Sequence, residues 1–342
     1  MELDKNPLKG LGTWSKRFAV YRKEGRYDLC RQLLAGIKHK ELPAYGLGIV
    51  RYAEGWLYDR LGNWQDALKA YHDSLAAFEQ AGVPSIQVEI WTNIGSLFHD
   101  QGDWPNTEAA YQKALEIAEK HPSQRGMGGI LHNFAGLLLA QDKTKDAIEY
   151  LEKAISAYSD VKDAYNVAAC QVGLGTAYLN QNRSQEALDI YIEALQKFHQ
   201  IGNLHGMGMA SASIARLYYL QNLYQEAELQ YTEALGIFSK IGDLVQINKT
   251  LANLGLVHQE KNELEQAQDY FEQALSGYEA FGDLHGKTTC LVSLGHLHHI
   301  IGNTAEAKSF VLQAHEIATK NNYEDQLTRL KLLHINIEEF LE

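Results

Sequence analysis

Apolar residues recur at three- and four-residue intervals along most of the chain. Between Asp243 and Phe281, Leu251, Leu254, Gly255 and His258 share one helical face, and Ala267, Phe271, Ala274, Leu275 and Tyr278 share a second. Lys261-Asn262-Glu263 leaves room between them only for a tight reversal, so the unit reads as an antiparallel helical hairpin. The hairpin repeats. Small residues stand every 40 positions, at Ala67, Thr107, Ala147, Ala187, Ala227, Ala267 and Ala307. A second small column lies 12 residues upstream of each, at Gly55, Gly95, Ala135, Gly175, Ala215, Gly255 and Gly295. Two registers held through seven copies predict one unit stacked repeatedly, a solenoid.

The polar positions punctuate the same period. The reversal column reads Gly62, Gly102, Asp142, Asn182, Asn222, Asn262 and Gly302, all residues that tolerate the left-handed conformation closing a helix. Ser123, Asp163, Asn203, Asp243 and Asp283 are good N-caps where the next unit begins, and Gly202, Gly242 and Gly282 precede three of them as helix terminators. Pro105 stands where a first helical turn accepts proline. Tyr71, Tyr111, Leu151, Tyr191, Tyr231, Phe271 and Val311 form a bulky column on the second helix. The small column on the first helix is expected to let the second helix's backbone approach closely.

Leu174-Gly175…Tyr178 on the first helix and Ala187…Tyr191…Ala194 on the second carry a family resemblance: the chain resembles the tetratricopeptide repeat over roughly residues 44–320. The resemblance implies an all-α fold, a right-handed α-solenoid of antiparallel helical hairpins with about 17 helices. A standard unit has 34 residues, and the longer period here is consistent with each helix gaining nearly a turn, roughly 4–5 Å. The Gly-Asp/Asn-Leu junctions (Gly202-Asn203-Leu204, Gly242-Asp243-Leu244, Gly282-Asp283-Leu284) replace the terminal proline. Long repeats of this kind look similar to those of kinesin light chains and Leu-Gly-Asn-repeat adaptors. The expected organisation is a basic N-terminal cap over 1–43, seven repeats over 44–322 and a capping helix over 323–342. Within the first segment, Trp14, Tyr21, Gly25, Cys30 and Leu34 read as a divergent repeat.

Charge changes the expectation about partners. Net charge is −12, yet residues 1–40 hold ten Lys or Arg against four Asp or Glu, a surplus of six that leaves the remainder at −18. An acidic body argues against nucleic acid as a partner. The basic start (Lys16, Arg17, Arg22, Lys23, Arg26, Arg31) suits an acidic partner, the solenoid's own acidic surface or a solvated helix face. No apolar run approaches the roughly 20 residues that span a bilayer, so no membrane partner is expected. Cys30, Cys170 and Cys290 are odd in number and widely spaced, which points to a reducing, cytoplasmic setting.

The resemblance places first helices on the concave surface. The column Ala53, Asn93, Asn133, Gly173, Ser213, Asn253, Ser293 lies there, and Asn93, Asn133 and Asn253 match the asparagines of peptide-binding relatives. An amide both donates and accepts, so spaced asparagines can hold a peptide backbone. Tyr52, Trp56, Arg60, Ser96 and His99 are further groove candidates near the N-terminal end, with Glu89 and Asp100 beside them. Arg216, Tyr219, Lys249, His296 and His299 are candidates toward the C-terminal end, with Gln259 and Glu260.

The basic pattern of a carboxylate clamp is missing. His296 and His299 share a helix face, but no HExxH or acidic partner supports a metal, and His298 falls in a packed column. Gly126-Met127-Gly128-Gly129 and Gly206-Met207-Gly208-Met209 lack the strand and the Gly-Lys-Ser/Thr ending of a phosphate loop, so they read as close-contact residues. No catalytic residues, cofactor or metal are expected. The function expected is a non-enzymatic adaptor or scaffold that holds a peptide segment of a partner protein. The alternative is a peptide- or partner-responsive regulator of a separate effector. Open solenoid ends also leave room for homo-oligomers.

Overall fold

The computed structural model describes residues 7–24, 27–37, 42–61, 63–121, 124–321 and 323–332. Among them are 17 helices and no strand. Helices α1 (Pro7–Glu24) and α2 (Tyr27–Ala35) precede seven hairpins. These are α3 (Ala44–Arg60) with α4 (Trp64–Ala81), α5 (Pro84–Asp100) with α6 (Trp104–Lys120), α7 (Gln124–Ala140) with α8 (Thr144–Asp160), and α9 (Ala164–Asn180) with α10 (Ser184–Gln200). The series continues with α11 (Leu204–Leu220) and α12 (Tyr224–Ile241), α13 (Leu244–Glu260) and α14 (Leu264–Phe281), and α15 (Leu284–Ile301) and α16 (Thr304–Asn321). Helix α17 (Glu324–Leu332) follows. The expectations for Gly25, Gly62, Ser123 and residues 333–342 lie outside the described residues.

Every hairpin helix is 17 or 18 residues long, about 26 Å of axis, which accounts for the lengthened period. Each helix packs most closely on its hairpin partner and next on the neighbouring hairpin. Beyond those, α3 touches α5, α5 touches α7, α7 touches α9, α9 touches α11, and α13 touches α15. Only first helices crowd together in this way, which puts them on the inner, concave side. The second helices form the convex side.

The small columns do more than was expected of them. Ala67, Ala147, Ala187, Ala227, Ala267, Ala307 and Thr107 are completely buried, the contact points where two helices meet. On the first helix, however, it is a ring rather than a backbone that occupies the space. A Cβ on Gly55 would stand 2.6 Å from the Tyr71 ring, one on Gly175 2.5 Å from Tyr191, and one on Gly255 2.6 Å from Phe271. Gly95 faces Tyr111 in the same way, and Gly295 faces Val311. A ring laid flat against a helix needs a residue without a side chain beneath it. Where the ring is replaced by Leu151, the chain tolerates Ala135; Ala215 under Tyr231 is the exception. The glycine-rich starts of α7 and α11 obey the same rule: Gly128 lies under Tyr158 and Gly208 under Phe238.

The reversals take the left-handed conformation, with φ of 59° at Asp142, 61° at Asn182 and 63° at Asn262. Lys162, with φ 55°, takes it where other junctions use glycine, a strained choice for a lysine. The predicted caps form: Asp163, Asn203, Asp243 and Asp283 each accept a hydrogen bond from a backbone N–H three residues on. Asp103 caps α6 in the same manner. Burial pushes the Asp283 carboxyl up to about 6, against the Gly286 N–H and Lys249, which favour its charge. All three cysteines are buried, and burial pushes each thiol up to about 12.

Two predictions follow from the packing and the caps. Gly175→Ala should destabilise by about 1–3 kcal/mol because the Tyr191 ring cannot move aside freely, while Gly136→Ala, whose Cβ would meet open space in α7, should gain about 0.5–1 kcal/mol; urea unfolding measures both. Between the ordinary carboxyl pKa and about 6, folded Asp283 keeps a proton that the unfolded chain releases, so its burial costs stability as pH rises through that window. Asp283→Asn, copying the cap that Asn203 already provides, should therefore stabilise by about 1–3 kcal/mol at pH 7.5 and by nothing near pH 4, read from unfolding at both pH values.

Candidate ligand cavity

The solenoid coils far enough to meet itself. Lys249 of α13 places its Nζ 3.2 Å from Oδ1 of Asp100 at the end of α5, a contact between residues 149 positions apart. Helix α1 touches α11, and Gly102 lies against the His285 ring at the start of α15. Helices α1 and α2 lie over the inner face. The Tyr27 hydroxyl donates to Oδ2 of Asp243 across 3.1 Å, and His205 Nδ1 is 3.0 Å from the same oxygen. Asp243 thus caps α13 through one carboxylate oxygen and ties α2 and α11 to the junction through the other. Trp14, Phe18 and Tyr27 pack with Cys30, Leu34 and the α3 residues Val50, Ala53 and Leu57.

These contacts wall a half-open cavity of 890 Å³ on the concave side. Its walls come from four consecutive first helices and from the cap over them. Helix α3 contributes Tyr52, Trp56, Asp59 and Arg60; α5 contributes Glu89, Thr92, Asn93 and Ser96. Gly126, Gly129, His132 and Asn133 come from α7, and Tyr165 and Asn166 from α9. Arg22 enters from α1 and Tyr27 from α2. The far wall is built from hairpin junctions: Val161, Lys162 and Asp163, then Ile201, Asn203 and His205.

The electrostatics are mixed and finely set. Arg60 Nη2 is 2.8 Å from Oδ2 of Asp59, and both side chains are largely buried. Burial pushes the Asp59 carboxyl up against the opposition of Arg60, with Asp100 and Asp243 adding like charge. Burial would also raise Asp100, but Lys249, His99 and Arg60 hold it below the usual carboxylate range. Burial lowers His132 to about 4, so this imidazole is neutral at physiological pH. Its Nδ1 and the Arg60 Nε are buried polar atoms with no hydrogen-bond partner among the described residues. The Asn93 amide donates to the Tyr52 hydroxyl across 3.3 Å. Such a surface offers aromatic faces, amides and both charge signs to a ligand.

Six of the thirteen groove candidates line this cavity: Tyr52, Trp56, Arg60, Asn93, Ser96 and Asn133. The other seven lie elsewhere. Lys249 is engaged with Asp100, and the His99 ring packs edge-on against Trp104 at 5.3 Å. Arg216 and His299 are exposed, and Asn253 is half-buried on α13. Tyr219 pairs with Tyr224, and His296 Nδ1 is 3.4 Å from the Gln259 amide nitrogen. Arg329 of α17 reaches over this C-terminal group and donates to Ser293 Oγ at 3.2 Å. His298 is buried and packs on Phe310.

Sequence reasoning passed over Arg22, His132, Tyr165, Asn166, Asn203 and His205. Asn203 was marked only as a helix cap and Arg22 only as part of the basic start.

The tetratricopeptide repeat profile matches residues 87–160, 126–198, 166–240 and 246–320. Among curated proteins, the photosystem I assembly protein Ycf3 of Prochlorococcus marinus is 28% identical over 130 residues, which are 38% of this chain and 71% of that protein. Among solved structures, a Rap protein complexed with competence and sporulation factor superposes with a TM-score of 0.71 at 16% identity, covering 95% of this chain and 90% of that one. NprR in complex with its cognate peptide NprX superposes with a TM-score of 0.62 at 16% identity and 99% coverage of both chains. At these identities the structural likeness speaks to the fold.

Proposed function

The chain belongs to the tetratricopeptide repeat family, and from that premise we propose that it is a non-catalytic binding protein whose ligand is a short peptide held in the concave cavity. The observation that carries the reading is the cavity itself. At 890 Å³ it falls in the upper part of the range of about 300–1,000 Å³ typical of ligand sites. Its lining combines aromatic rings for apolar contact with Asn93, Asn133 and Asn166, whose amides suit the alternating donors and acceptors of a peptide backbone. Structures of this fold have been solved with NprX and with competence and sporulation factor, which supports the same reading.

The contacts across the inner face also bear on which kind of binding protein this is. An adaptor that threads a long partner segment needs an open groove. Here the inner face is crossed by Lys249–Asp100 and covered by α1 and α2. A ligand in the cavity lies beside these cross-groove contacts and α1, so its binding can bias their arrangement, which favours a regulator whose shape responds to its ligand.

A random hexapeptide library selected on the wild-type protein, followed by titration of the selected peptides, tests the reading. Asn93→Ala combined with Asn133→Ala should weaken those peptides by about tenfold to a hundredfold and leave the thermal midpoint within a few degrees of wild type. Failure to select any peptide, or equal binding by the double variant, would contradict it.

A further inference from the structure

Helix α1 sends one of its own side chains into the cavity. Arg22 lines it while keeping part of its side chain exposed; Lys16, Arg17 and Arg31, exposed basic residues of α1 and α2, do not line it. The Arg22 guanidinium carbon lies 5.6 Å from the centre of the Trp56 ring, within the reach of a cation–π contact. The Tyr52 hydroxyl and the Glu89 carboxylate are near enough to favour the charge on this guanidinium. Burial disfavours its charge, but Tyr52 and Glu89 more than compensate.

The pocket around it is organised for a cation. Tyr52 is oriented by the Asn93 amide, which donates to its hydroxyl across 3.3 Å. Trp56 is fixed at right angles to Phe18 at 6.0 Å and Tyr27 at 5.4 Å, and it lines the cavity with Arg22 over its ring. Glu89 has no ion pair within 4.0 Å among the described residues, so its carboxylate is not consumed by a structural salt bridge. With Arg22 taken away, these residues form an aromatic and acidic box: a π-face, an oriented hydroxyl and a carboxylate.

We infer that Trp56, Tyr52, Glu89 and Asn93 form a subsite for an organic cation, a guanidinium or ammonium group, and that Arg22 occupies it as a built-in competitor. The subsite stands on its own geometry. Only the identification of the cation as a basic side chain of a peptide rests on the reading given above. An intramolecular competitor acts at a local concentration in the millimolar range, so a ligand must bring further contacts, such as those to Asn133 and Asn166, to displace it. Displacement would also release the grip of α1 on the cavity, which couples ligand chemistry to the position of the cap.

The test uses arginine amide as the probe, citrulline amide as its neutral isostere, and saturation-transfer NMR titration of the full chain. Arg22→Ala empties the subsite, and Arg22→Met does so while keeping an aliphatic stem on α1 should the alanine variant lose the helix. Arginine amide should bind the variants at least tenfold more tightly than wild type, and citrulline amide should not bind them. Adding Glu89→Gln to Arg22→Met should weaken the probe at least tenfold. Equal binding to wild type and variants, equal binding of citrulline amide, or no binding to a folded variant would overturn the proposal. The probe has no peptide backbone to engage the asparagines. Its failure beside a positive library selection removes the subsite alone, and its success beside a failed selection removes only the peptide reading.

Discussion

A ring lying on a glycine is the contact on which the rest of this molecule depends. Tyr71 over Gly55, Tyr111 over Gly95, Tyr191 over Gly175 and Phe271 over Gly255 set how closely the two helices of a hairpin meet. The same register, repeated every 40 residues, gives each hairpin nearly the same relation to the next. Small rotations of one sign then accumulate. Over the four steps from the second hairpin to the sixth they turn the chain through enough of a superhelix for α5 to face α13. Repetition at the packing level therefore produces a property that no single repeat has, a concave inner surface whose distant parts touch.

The cross-groove contacts mark that closure more than they cause it. Asp100 and Lys249 keep 27% and 40% of their side-chain surface exposed, and pairs of that kind contribute about 0–1 kcal/mol. Tyr27 on Asp243 is better shielded, since the Asp243 side chain is completely buried. A superhelix curved by its packing brings these partners within reach, and they then select one closed arrangement from a narrow range. Weak, individually replaceable links suit a binding site that must open. Stronger ones would hold the cavity shut.

What could be read in the sequence was what short-range chemistry decides. Hairpin spacing, the left-handed residues at Asp142, Asn182 and Asn262, and the caps at Asp163, Asn203, Asp243 and Asp283 each depend on a few neighbouring residues. The role of the glycine column was half legible: its smallness was plain, but that a ring rather than a backbone fills the space depends on the rotamer of a residue 16 positions on. The cavity was legible only where it is lined by the regular face of the first helices, at Tyr52, Trp56, Arg60, Asn93, Ser96 and Asn133. Arg22, Asn203 and His205 escaped because their placement depends on superhelical curvature, a sum of small rotations that no local pattern records. Tyr27 and Asp243 meet across 216 residues. For the same reason Lys249, a groove residue by register, proves to be a partner for Asp100.

The central claim is that the superhelix closes on itself in solution. A variant with Asp100→Cys and Lys249→Cys tests it directly, because native Cys30, Cys170 and Cys290 are buried with thiols pushed up to about 12 and are poor competitors for a maleimide at neutral pH. Treated with a short two-armed maleimide, the double variant should form an intramolecular link, seen as one added reagent mass with both thiols consumed, while each single variant keeps a dangling arm. Two separate reagents on each double-variant chain, with no link between the positions, would show an open solenoid and contradict the account.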